Sequence, residues 1–206
     1  MESLLVRPVV LVGRSVRLEP VSMAHFPDLA EQAIDPDIWQ YMGSGNLSDP
    51  ERLHGCIEAA VRETRPEEGV MFAAVATATG RAVGMTGLYD VHPVHRRLEL
   101  GRTWYGRDYR RTAINTESKY LLLTHCFETL SAHRVTIKTD TRNERSQRAI
   151  ERIGATREGV LRHHMVLWDG YVRDTVYYGI IAPEWPHVKA HLERLLMRGS
   201  VRVESS

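Results

Sequence analysis

Polar and apolar residues alternate from Ser15 to Val21, with Val16 and Leu18 on one side and Arg17 and Glu19 on the other. That period of two predicts a strand with one buried face. Ser22 then reads as the N-cap of a short helix carrying Phe26, Leu29 and Ile34, broken at Asp35-Pro36. A second helix starts at Ser48 or Asp49, has Pro50 in its first position, and runs to about Glu63. Met71–Thr77 and Ala82–Val91 are apolar runs rich in β-branched residues, and Ala78-Thr79-Gly80 between them makes a hairpin. Arg97–Tyr105 is a further strand. From Thr116 to Leu130 the period changes: Tyr120, Leu123, Phe127 and Leu130 recur every three or four residues and form one helix face.

Val135–Thr141 is a strand, and Ser146–Ile153 a short helix ended by Gly154. Asp169-Gly170, between Trp168 and Tyr171, predicts a two-residue type I′ hairpin with arms of about ten residues. Such a turn sets Met165 opposite Asp174 and His164 opposite Thr175. A last helix, about 184–198, carries Val188, Leu192, Leu195 and Leu196. The order β, α, α, β, β, β, α, β, α, β, β, α has adjacent hairpins and one central β-α-β crossover. It predicts an α+β fold with a mixed, mainly antiparallel twisted sheet flanked by helices. With no repeat or low-complexity linker, residues 1–206 are expected to form one domain, its core at about 16–181.

Composition narrows the partners. A net charge of +1 over 206 residues gives no bulk basicity for nucleic acid, so any anion site is local. The N-terminal apolar runs are interrupted by Arg7, Pro8 and Arg14 and are too short for a membrane span. Cys56 and Cys126 lie far apart, without metal-type spacing, and the histidines show none either: the expected metal set is none. A reduced, cytoplasmic protein without a membrane partner is the expectation.

Local chemistry concentrates at residues 97–116. A strand, a loop from Gly106 to Ala113 and a helix beginning after Asn115 make a unit whose helix N-terminus offers unpaired N–H groups and a partial positive charge. Arg110 and Arg111 stand at that entrance. They are either a solvated basic loop or partners for a phosphate.

Three stretches decide between these readings: LELGRTWYGRDYRRTAINTESKYLLL, NERSQRAIERIGATREGVLRHH and DGYVRDTVYYGII. They resemble the GCN5-related N-acetyltransferase (GNAT) superfamily, in particular its RimJ/RimL-type branch of ribosomal-protein-acetyltransferase-like enzymes. The resemblance runs from Val16 to about Ile181. It implies acetyl-CoA as co-substrate, with pantetheine along Thr103, Trp104 and Tyr105. It also implies pyrophosphate on Arg110, Arg111, Thr112, Ala113, Ile114, Asn115 and Thr116. The family's Arg/Gln-x-x-Gly-x-Gly/Ala loop has Ala113 and Asn115 here where small residues allow close backbone approach. Asn143-x-x-Ser146 followed by Gly154-Ala155 matches a second family pattern and implies contact between Asn143 and the CoA arm. Asn143 is equally a plain helix cap. Arg145 and Arg148 either approach the nucleotide end or are solvated.

Acyl transfer to an amine needs a base, a polarised carbonyl and a proton for the thiolate. Where many family members place a tyrosine acid this chain has Ile150, so the resemblance implies Ser146, a helix-start serine in the bland reading. Glu99, flanked by Leu98 and Leu100 on a central strand, is the base candidate. Its alternative is a salt bridge to Arg97 or Arg102. His163 and Asp174 share a face of the last hairpin and either form an acid–base pair in the acceptor pocket or brace the sheet. The expected function is acetyl-CoA-dependent acetylation of a primary amine, on a small molecule or a peptide or protein N-terminus, by direct transfer. The alternative is a catalytically inactive CoA-binding sensor or scaffold. A homodimer is compatible with either.

Overall fold

The computed structural model describes residues 4–201, with side chains to Arg198; residues 1–3 and 202–206, the two ends of the expected domain, lie outside the described residues. One sheet of eight strands organises the chain: β1 (Leu11–Val12), β2 (Val16–Pro20), β3 (Gly69–Ala76), β4 (Ala82–His92), β5 (Arg97–Tyr105), β6 (Arg134–Asp140), β7 (Thr156–Val166) and β8 (Val172–Ile181). Their order is β1-β2-β3-β4-β5-β6-β8-β7. Every neighbouring pair is antiparallel except β5 and β6, which run parallel. A parallel pair needs a crossover, here made through α3 (Ala113–Thr124). The mixed α+β architecture expected from the pattern is the one observed.

Helices cover both faces. On one, α1 (Phe26–Gln32) and α2 (Pro50–Arg62) bury Leu29, Leu53 and Ile57 with Trp39 against Ala73, Val75, Met85 and Trp104. On the other, α3, α4 (Glu144–Arg152) and α5 (Trp185–Val201) close over Leu98, Leu100, Val135, Ile137 and Tyr178. Alternation along β6 therefore sends Val135 and Ile137 to the second face and Thr136, Lys138 and Asp140 to the first.

Several boundaries differ from the sequence reading, each for a local reason. Ile34 lies beyond the end of α1 and is exposed; Trp39, in the following loop, takes the core position instead. Helix α3 begins at Ala113, not after Asn115, because the Thr112 hydroxyl caps it by accepting the Ile114 N–H at 3.3 Å. It widens into a π-helical turn over His125–Thr129. Helix α4 begins at Glu144, with Asn143 Oδ1 accepting the Ser146 N–H at 3.0 Å.

The last hairpin corrects the predicted register. Leu167 N–H donates to Tyr171 O at 2.8 Å, and Gly170 N–H donates to Leu167 O at 3.0 Å. The loop thus has three residues, Trp168-Asp169-Gly170, with Gly170 left-handed at φ 84°. Asp169 selects this form by accepting the Tyr171 N–H at 3.0 Å. Met165 consequently faces Arg173 rather than Asp174. A bulge follows between Leu161 and Met165, and Leu161, not His164, is the backbone partner of Thr175.

Strand β1 is too short to be seen in a periodicity. Its turn is held by Glu117 of α3, whose carboxylate accepts the Arg14 and Ser15 N–H groups, each at 2.7 Å. Hydrogen bonds to a charged acceptor contribute about 1.5–3 kcal/mol each, so Glu117→Ala, which removes two, is expected to lower stability by roughly 3–6 kcal/mol. Hydrogen exchange should show the loss concentrated at residues 11–16.

Candidate active site

Strands β5 and β6 pair only from Arg97 opposite Arg134 to Glu99 opposite Thr136. Beyond this, β5 stays with β4 as far as Tyr105 opposite Gly84, and β6 stays with β8 as far as Asp140 opposite Thr175. The two strands diverge into a V, leaving one backbone edge of β5 unpaired from Leu100 onward. A bulge at Arg102 (φ 50°) and Thr103 opposite Thr86 re-aims that edge. The Trp104 ring packs 5.2 Å from Trp39, and Tyr105 sits in the opposite core. Thr103 Oγ1 accepts from Lys119 Nζ at 2.7 Å. These three residues accordingly offer the cleft their main chain, not their side chains.

Above the V stands the N-terminus of α3. Its first turn leaves N–H groups at Thr112, Ala113 and Asn115 without intrahelical acceptors. Arg111 is exposed and left-handed at φ 62°, a conformation usually given to glycine. Arg110 is already engaged: its Nη2 lies 2.9 Å from Asp35 Oδ2, and its Nε donates to Tyr105 O at 3.3 Å. Thr116 Oγ1 accepts from Arg152 Nη2 at 2.8 Å, and Ile114 is buried in the core. The structure thus sets Arg110 against the end of β5 at Tyr105, just before the first turn of α3, while Ile114 turns into the core.

Glu99 lies at the apex of the V and is only 2% exposed. Its partner is neither Arg97, which pairs with Asp90, nor Arg102, which stacks over the Tyr89 ring. Instead Oε2 lies 2.7 Å from Lys138 Nζ, and Oε1 accepts from the Tyr89 hydroxyl. Sequence spacing favoured neighbours on the same strand, whereas the cation comes from the next strand in space. Burial, and then the adjacent Glu99 carboxylate, push the Tyr89 phenol well above its ordinary pKa.

Further along this face Asp140 is fully buried and accepts from Arg142 N, Nε and Nη2 at 2.8, 3.0 and 2.8 Å. Burial by itself would raise its pKa, but these bonds outweigh it and hold the carboxyl below the usual range. Arg142 stacks 3.3 Å over the Tyr171 ring, with Tyr41 on its other flank at 5.3 Å.

His163 and Asp174 are neighbours, but Asp174 Oδ1 accepts the His163 main-chain N–H at 2.7 Å, bracing the bulge at φ 51°. A side-chain acid–base pair is not what forms. His164 takes the cleft face: Nδ1 lies 3.0 Å from Thr175 Oγ1 and Nε2 lies 3.2 Å from the Tyr177 hydroxyl. Burial, then Lys138 and Arg173, lower its pKa and favour the neutral ring. Ser146 is half-buried in the first turn of α4, and Ile150 packs in the core.

Lys138, Asp140 and Arg173 were not singled out in the sequence. The alternation Thr136-x-Lys138-x-Asp140 against Val135 and Ile137 was the available signal, as was Arg173-x-Thr175-x-Tyr177. Lys119 had none, since a lysine in a helix ordinarily faces water. Here it is buried and donates to Thr103 Oγ1 beneath the β5 bulge, and desolvation lowers its pKa to about 7. The unfolded chain keeps this proton to about 10.5. Between those values the unfolded state binds more protons, so stability rises with pH and levels off below about 7. Urea titrations should show this rise in the wild type and its loss in Lys119→Met.

Among the described residues no group of three or more His, Cys, Asp or Glu side chains could hold a metal ion, and no helix is long and apolar enough to cross a membrane.

The splayed strands with a helix N-terminus above them belong to a known class: residues 15–156 match the acetyltransferase (GNAT) domain family, and the chain is a member of it. A solved structure from T. thermophilus, assigned as an acetyltransferase, is 40% identical, covers 92% of this chain and 98% of its own, and superposes with a TM-score of 0.83. The uncharacterized N-acetyltransferase YoaA of Bacillus subtilis (strain 168) is 25% identical over 147 residues, 71% of this chain and 82% of YoaA. RimL, a ribosomal α-N-protein acetyltransferase solved in complex with coenzyme A, is 18% identical with a TM-score of 0.73, covering 84% of this chain and 98% of its own; it shares the fold.

Proposed function

We propose that this protein transfers an acetyl group from acetyl-CoA to a primary amine, on a small molecule or a peptide or protein N-terminus, as a RimJ/RimL-like member of the family. The observation that carries the reading is the V-shaped cleft, whose apex holds the buried Glu99 paired with the partly exposed Lys138 and whose open end meets the N-terminus of α3. The unpaired β5 edge at Thr103–Tyr105 has the main-chain donors and acceptors to run along pantetheine. The N–H groups of Thr112–Asn115 with Arg110, Arg111 and Thr116 suit a pyrophosphate, and Asn143 stands on the CoA side of α4. In this reading Glu99 is the base that takes the proton of the incoming amine. The free amine attacks the thioester carbon, main-chain N–H groups of β5 receive the developing oxyanion, and Ser146 gives a proton to the departing thiolate. His163 and Asp174 shape the acceptor side through the β7 bulge.

A CoA-binding sensor would need no buried carboxylate facing a lysine at the meeting point of two substrates, which is why the enzymatic reading is preferred. The same proposal places the enzyme in the cytoplasm, without nucleic-acid or membrane partners, and allows a homodimer through the exposed edge of β7.

Calorimetric titration of acetyl-CoA tests it. Tight binding is expected in the wild type. In the Arg110→Ala/Arg111→Ala protein it should weaken by about 1.5–3 kcal/mol for each charge-assisted hydrogen bond removed. Wild-type protein that does not bind acetyl-CoA would overturn the proposal.

A further inference from the structure

The acceptor side of the cleft has one cation too many. Three basic side chains share its inner wall: Lys138 on β6, Arg142 after β6 and Arg173 on β8. Two of them are matched. Lys138 lies 2.7 Å from Glu99, and Arg142 commits three N–H donors to Asp140. Arg173 is 6% exposed, and among the described residues no carboxylate lies within ion-pair distance of it. Its Nη1 donates to the Tyr41 carbonyl at 3.2 Å, and its buried Nε has no hydrogen-bond partner.

A guanidinium that stays charged when buried is costly unless an anion and good hydrogen bonds compensate it. A role confined to fastening the Tyr41 loop would need one neutral donor, not a charged fork with an unmet N–H. Asp140 and Glu99 act on Arg173 only through space: neither lies within ion-pair distance of it, and each already faces a cation of its own.

Position along the sheet adds a spacing. Lys138, beside Glu99 at the reacting end, is opposite Tyr177, four residues along β8 from Arg173. Those residues span about 13 Å of strand, shortened by the reach of the arginine side chain. Thr175, Tyr177 and His164 line the interval.

We infer that the amine acceptor carries a carboxylate, set several bonds from the reacting amine, and that Arg173 receives it in a bidentate pair. The acceptor class is therefore a short peptide or an ω-amino acid, whose amine reaches Glu99 while its carboxylate stays at Arg173. A polyamine, cationic at both ends, is excluded. This inference rests on the acetyltransferase reading above.

The test compares an acid with its amide. N-acetylglycylglycine and N-acetylglycylglycinamide, product mimics differing only in that charge, are titrated into wild-type protein saturated with CoA. CoA binding is measured first on the same sample, and its absence would refute the acetyltransferase reading itself. With CoA bound, the acid is expected to bind at least about tenfold more tightly than the amide. In Arg173→Gln the two should bind alike, while Arg173→Lys retains part of the preference. Equal affinities in the wild type, or no binding of either compound while CoA is bound, would overturn the assignment of Arg173. The wild-type comparison decides the matter even if a variant fails to fold.

Discussion

Replacing Glu99 by glutamine is expected to slow acetyl transfer by about 10²–10⁴-fold, the range set by loss of a positioned general base, with acetyl-CoA affinity unchanged. The substitution keeps the shape of the side chain and its contact with the Tyr89 hydroxyl. What it removes is the charge facing Lys138. Lys138 is 22% exposed on its side chain and reaches water, whereas Glu99 is 2% exposed. Losing the carboxylate is therefore much less damaging to the fold than losing the lysine, which would leave a buried charge uncompensated at about 3–5 kcal/mol. Steady-state kinetics read together with thermal melts separate the two effects. A variant that melts near the wild type but transfers slowly supports the base. A variant that transfers at the wild-type rate shows Glu99 to be a structural carboxylate.

The second large effect is on stability. Trp39→Ala is expected to cost about 3–5 kcal/mol, as for large aromatic truncations in a core, and to lower the melting temperature by roughly 6–20 °C. Trp39 is fully buried against Trp104, its Nε1 donates to Ala33 O at 2.9 Å, and its carbonyl accepts from Trp168 Nε1 at 3.1 Å. The substitution removes only the indole hydrogen bond to Ala33, about 1 kcal/mol, since the main-chain carbonyl that receives Trp168 remains, so most of the loss comes from the cavity. Trp39 joins the loop after α1 to the tip of the last hairpin, and in the proposed reading these wall the acceptor side. Acceptor affinity should therefore fall more than acetyl-CoA affinity; equal losses would show that the two walls do not act locally.

Much of this architecture is legible without coordinates. Alternation in Val16–Glu19 and the three-and-four spacing of Tyr120, Leu123 and Phe127 report burial on one side, and burial is what sorts strands from helices. Caps at Asp49, Asn143 and Gly154 are equally local, since a helix end is satisfied by a residue next to it in sequence. The errors are of another kind. Ile34 looked like a core residue and is exposed, because Trp39 fills the space better from a loop. Asp169-Gly170 suggested a two-residue turn, but the Asp169 side chain stabilised a three-residue loop and moved the register of β7 by one.

The sequence alone determined the class of fold, the family resemblance and the two regions that could meet acetyl-CoA, because these depend on periodicity and contiguous motifs. Only the tertiary structure decided which charges meet. Glu99 pairs with Lys138, Arg110 with Asp35 and Lys119 with Thr103, and among the described residues Arg173 has no carboxylate within ion-pair distance and an unbonded Nε. These partners are brought together by strand order and by the divergence of β5 from β6. Electrostatic energy depends on distance and burial, and neither follows from separation along the chain.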